Sequence, residues 1–118
     1  IKPPFNVTRI AQAAAIASLE NDDFKDESCA LNCKNKEILL KQLKALDVKV
    51  VPSETNFLLF FPGVDVMELN KRLLKEGVIV RPMAGFGIPE AMRVTVGFED
   101  DNNYFVEKLK KVLDEMRK

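Results

Sequence analysis

The sequence predicts an α+β fold: a small antiparallel or mixed sheet of about four strands, covered by helices and preceded by two connecting helices. Three observations carry this. Short apolar runs at 49–51, 55–61, 78–80 and 92–96 are bounded by turn residues, as strands are. Between and after them, Val66, Leu69 and Leu73, and then Phe105, Leu109, Val112, Leu113 and Met116, recur at helical spacing. The chain before residue 47 carries helical patterns only.

The elements follow in order. Lys2-Pro3-Pro4-Phe5-Asn6-Val7-Thr8 reads as an extended lead-in, its two prolines disfavouring helix. Asn6 or Thr8 then caps a helix that runs to about residue 20. Ala11, Ala13, Ala14, Ala15 and Ala17 make it a good helix former with a small-residue surface, suited to lie close against something large. Asn21-Asp22-Asp23 is a polar break, and a second helix is expected over 24–46, with Leu39, Leu40, Leu43 and Leu46 on one face. Asp47 ends it. A short strand at 49–51 turns at Pro52-Ser53-Glu54 into 55–61, which is apolar on both faces after Asn56 and therefore central. Asp65 with Glu68 resembles a capping box for the next helix, and Gly77 is its stop signal. Strands at 78–80 and 92–96 follow. Asp100 and Asp101 suit the N-terminal end of the last helix.

Composition bounds the function. The chain has 118 residues, enough for one hydrophobic core, with 47% hydrophobic and 31% charged residues, the balance of an ordinary globular protein. Net charge is zero, which argues against bulk attraction to nucleic acid or to a membrane surface. No apolar run approaches a bilayer span. The chain starts at Ile and not Met, which suggests a piece of something longer. There is no His and no nucleophile motif, so no catalytic residue is assigned. Cys29 and Cys33 are the only cysteines; without a partner pair they read as reduced thiols on a helix, and no metal site is expected.

The functional signal is Arg81 and Arg93. They stand at the ends of two expected strands, separated by a loop holding two glycines and two prolines. A guanidinium in an apolar setting needs an anion or a carboxylate partner. Two on neighbouring strands can grip one carboxylate or phosphate. The alternatives are packed surface arginines, or salt bridges to Glu90 or Glu99. Gly85-Phe86-Gly87 lacks the third glycine of a dinucleotide fingerprint and reads as a tight loop. Asn56 is a possible ligand donor, or a group that satisfies backbone at a strand end.

The stretches "KPPFNVTRIAQAAAIASLE", "SETNFLLF", "GVIVRPMAGFGIPEAMRVTVG" and "NNYFVEKLKKVL" together resemble histidinol-phosphate aminotransferase, in that family's order and over essentially the whole chain. Phe98 departs from the pattern, which usually has a small hydroxyl residue there. The resemblance implies the C-terminal portion of a fold-type I enzyme using pyridoxal 5'-phosphate. Residues 1–47 would be connecting helices leading out of a missing large domain, and 48–118 the small α+β domain. The parent would be a cytoplasmic homodimer that moves an amino group between glutamate and the ketone precursor of histidinol phosphate. Arg93 would grip the substrate anion, and Arg81 would help it. The family's Schiff-base lysine motif and its other cofactor-holding residues have no counterpart in these residues. The resemblance therefore implies that this piece is inactive alone, with no covalently bound cofactor. Two other readings stand beside it: an enzyme like threonine-phosphate decarboxylase, and a stand-alone module binding a small anionic metabolite.

Overall fold

Alternation of burial along two strands decides how this molecule is layered. In β2 (Phe57–Phe61), Leu58 and Phe60 are buried while Phe57, Leu59 and Phe61 are only half-buried. In β4 (Met92–Thr95), Met92 and Val94 are buried, Arg93 is half-buried and Thr95 exposed. Side chains of a strand point to alternate faces, so the sheet has one core face and one open face. The computed structural model describes residues 5–118. Of the expected lead-in, Lys2-Pro3-Pro4 lies outside them, and residues 5–8 are neither helix nor strand. The chain falls into two compact units, the first ending at Leu31 and the second Asn32–Lys118.

The first unit contains α1 (Arg9–Leu19) and the start of α2 (Asp22–Ala45). Thr8 is the N-cap of α1, its hydroxyl accepting from the Ala11 amide at 3.1 Å. No residue of α1 is buried, and Ile10, Ile16 and Leu19 are exposed. The α2 helix starts earlier than the sequence suggests. Asn21 Oδ1 accepts from the Phe24 amide at 3.0 Å, so Asp22 and Asp23 become the first turn, where their charge suits the helix dipole.

The second unit holds the sheet, with strand order β1-β2-β4-β3 and every neighbouring pair antiparallel. β1 is Lys49–Val51 and β3 is Arg81–Pro82. β2 is an interior strand, as its apolar run requires. It begins at Phe57 rather than residue 55, because Ser53 and Thr55 spend their hydroxyls on a local turn. The C-terminal part of α2 (Leu39, Leu43), α3 (Val66–Lys75) and α4 (Glu99–Met116) cover the core face. Phe60 and Phe105 meet there with ring centroids 6.1 Å apart. Asp65 Oδ1 caps α3 at the Glu68 amide, 2.6 Å away. Gly77, at φ 76°, lets the Val78 amide reach back to the Leu73 carbonyl at 2.9 Å and close the helix.

The strand expected at 78–80 is corrected. Val78 and Val80 are buried and Ile79 is exposed, but the segment's backbone is outside the ladder. Pairing begins at Arg81, opposite Arg93, and continues at Pro82, opposite Met92, although β4 itself runs on to Thr95. Arg81 therefore opens a strand instead of following one.

Candidate anion site on the open sheet face

One row of cross-strand partners crosses the open face: Val51, Leu59, Arg93 and Arg81. Directly paired residues of an antiparallel ladder share a face, with Cβ atoms about 4.5–5.5 Å apart. Arg81 and Arg93 are such a pair, so the structure brings together the two arginines singled out from the sequence. Arg93 is half-buried and Arg81 exposed. Like charges directly opposite each other oppose pairing by mutual repulsion.

No carboxylate offsets this repulsion. Among the described residues neither guanidinium makes an ion pair or a side-chain hydrogen bond, and the salt bridges formed lie elsewhere, on α2, α3 and α4. The Glu90 and Glu99 alternatives are thus not realised. Each guanidinium lies instead over an aromatic ring, Arg93 over Phe57 and Arg81 over Phe86, both 4.9 Å from the centroid. Phe57 is the ladder partner of Thr95, one diagonal step from Arg93. Phe86 closes a 3-10 turn, Ala84–Phe86, between β3 and β4. The turn is held by the Phe86 amide donating to the Met83 carbonyl at 2.9 Å and the Ile88 amide to the same oxygen at 3.3 Å. Gly87 follows at φ 78°, a conformation that other residues rarely adopt, and ends the turn just after Phe86.

Asn56 acts through its backbone, its carbonyl accepting from the Val96 amide at 2.8 Å. Its side chain makes no hydrogen bond among the described residues. Cys29 and Cys33 are exposed thiols, and no cluster of potential metal ligands occurs among the described residues. Among the described residues no helix is long and apolar enough to cross a membrane.

Sequence reasoning missed a polar knot behind β4. Asn35 and Asn102, both buried, donate through Nδ2 to the Gly97 carbonyl, each at 3.0 Å. The Gly97 amide in turn donates to Asn102 Oδ1 at 3.0 Å. The knot ties α2 and the start of α4 to the chain just after Arg93. A signal existed: Asn102 lies three residues before Phe105 and Asn35 four before Leu39, each on the apolar stripe of its helix. Phe57 and Phe86 were hidden because their role depends on register and turn geometry.

Fold and site together define a small helix-covered domain presenting paired arginines on the bare side of its sheet. The histidinol-phosphate aminotransferase of Clostridium acetobutylicum has this fold over 97% of the chain, with TM-score 0.83 and 25% identity, the match covering 36% of that protein. Residues 1–109 match the model of the family described as aminotransferase class I and II, and the chain belongs to that family. It is 44% identical to histidinol-phosphate aminotransferase 1 of Dechloromonas aromatica, over 96% of this chain and 31% of that protein. It is 47% identical to histidinol-phosphate aminotransferase 1 of Thiobacillus denitrificans, over 96% of this chain and 29% of that one. The chain thus spans less than a third of the length of these curated relatives.

Proposed function

We propose that this chain is the C-terminal part of a pyridoxal phosphate-dependent histidinol-phosphate aminotransferase, and that Arg93, assisted by Arg81, binds the substrate's anionic group. The reading assigns residues 1–47 to connecting helices and 48–118 to the small domain of a cytoplasmic, homodimeric parent. The observation that carries it is the cross-strand pairing of Arg81 with Arg93, with no ion pair to either among the described residues. Such a pair leaves two charges to be neutralised by a ligand. A dianionic phosphate, or the carboxylate of glutamate in the other half-reaction, has the charge and the oxygen geometry for it. The names of the relatives support histidinol phosphate as the substrate, and to it this reading adds glutamate and 2-oxoglutarate as the amino-group donor and acceptor.

Pyridoxal phosphate supplies the electron sink of amino transfer when bound. The described residues offer it no fitting cradle. Arg81 and Arg93 stand on an open face, and Lys49, which lies over Phe61, is on the opposite edge strand of the sheet from Arg81. We assign cofactor binding to the remainder of the parent and expect no aminotransferase activity from these residues alone.

The test is a full-length parent assayed with histidinol phosphate plus 2-oxoglutarate, and separately for carbon dioxide release from threonine phosphate. Amino transfer should dominate. Arg93→Ala should raise KM for histidinol phosphate by about 10–100-fold, the worth of a lost charge-assisted bidentate contact. Unchanged KM, or turnover of threonine phosphate instead, overturns the assignment.

A further inference from the structure

We propose that Phe57 and Phe86 are positioning residues for this pair of arginines, holding the two guanidinium planes in place before the anion arrives. The proposal rests on the reading of Arg81 and Arg93 as an anion clamp. Three features lead to it. First, the two arginines face each other across the ladder and would repel if their side chains ran in parallel. Each is drawn to a ring of its own, on β2 for Arg93 and in the β3–β4 turn for Arg81. Second, a cation over an aromatic face is attracted by the ring quadrupole while its N–H edges stay free to donate. A carboxylate partner would hold an arginine equally well but would occupy the donors that the substrate needs and cancel the charge. Third, burial does not explain Phe86. It is 58% exposed at the tip of a turn built from two glycines, where a polar residue would be the ordinary choice. Its stacking on Arg81 gives that placement a function.

An arginine side chain that is already ordered loses less rotamer freedom on binding, so the rings should show in anion affinity more than in stability. The experiment uses the full-length enzyme with inorganic phosphate as the probe, its affinity measured by isothermal titration and by competition with histidinol phosphate. Phe57→Leu and Phe86→Leu keep apolar bulk and remove the ring; each should weaken phosphate by about three- to tenfold, the usual strength of such a contact. Phe57→Tyr and Phe86→Tyr keep a ring face and should bind as the native protein does. Urea midpoints of all four should stay close to native. Arg93→Ala is the control for the clamp itself. If Arg93→Ala loses phosphate while both leucine variants bind it normally, the clamp stands and the positioning role is refuted. If Arg93→Ala leaves phosphate affinity intact, the clamp reading fails first. If leucine and tyrosine variants weaken binding equally, with a fall in urea midpoint, the phenylalanines serve packing and the proposal is wrong.

Discussion

Replacing Asn102 by Ala removes two hydrogen bonds at once, and the structure says which of them matters more. The Gly97 carbonyl has two donors, Asn35 Nδ2 and Asn102 Nδ2, both at 3.0 Å. The Gly97 amide has one acceptor, Asn102 Oδ1. Asn35→Ala therefore leaves every Gly97 group with a partner and should cost about 1 kcal/mol, the net worth of one hydrogen bond. Asn102→Ala leaves the Gly97 amide without a partner in a part-buried corner. Adding its desolvation penalty to the second lost bond gives about 2–3 kcal/mol. The double variant strips the carbonyl of both donors, so it should cost more than the sum of the singles by about 1 kcal/mol. Urea unfolding followed by circular dichroism is the assay. With a slope of roughly 1–2 kcal/mol per molar, Asn102→Ala should lower the midpoint by about 1–3 M, and Asn35→Ala by about half that or less. Equal costs for the two single variants, or strict additivity in the double, would refute the argument that Gly97 is the shared centre of the knot.

Two more outcomes follow from local geometry. Asp47 holds φ 57° just after α2, a position that glycine occupies without strain, so Asp47→Gly should raise stability by roughly 0.5–1 kcal/mol in the same urea assay; a loss would mean that the aspartate side chain contributes there. Glu76 and Lys111 form an ion pair at 2.7 Å, and the hydrogen bond from Lys111 holds the Glu76 carboxyl below its ordinary 4.5. The same bond raises Lys111 above 10.5. The lowered carboxyl contributes stability that is complete above pH 4.5 and is lost as pH falls through its folded value; the raised ammonium contributes stability that is complete below 10.5 and is lost above it. The stability gap between the native protein and Glu76→Gln should be flat in between and close in acid. A gap that persists undiminished at about pH 2 would show that the pair does not act by charge.

The legible parts of this sequence were those where one residue type answers one local need. Thr8, Asp65 and Gly77 announce helix ends because an orphaned amide or a left-handed turn admits few residues, and all three act there as expected. The stripe of α4 was equally plain, with Phe105, Leu109, Val112 and Leu113 buried and Met116 packed at its edge. The 78–80 segment misled because Val78-Ile79-Val80 is apolar like a strand, while ladder pairing with a distant strand sets in only at Arg81. The arginine pair was visible as chemistry, but not its exact register. The rings beneath it were not visible at all, since a diagonal neighbour is set by pairing and not by sequence distance.

The alternation along β4 carries a consequence for how such a domain changes over time. Arg93 and Thr95 look outward, while Met92 and Val94, the letters between them, look into the core. Recognition and cohesion are thus interleaved on one strand without sharing a residue. A substitution at an outward letter can retune what the face attracts while the interior keeps its packing. A slip of β4 by one residue would do the reverse, driving a guanidinium inside and a methionine out, so the core polices the register on which the outward chemistry depends.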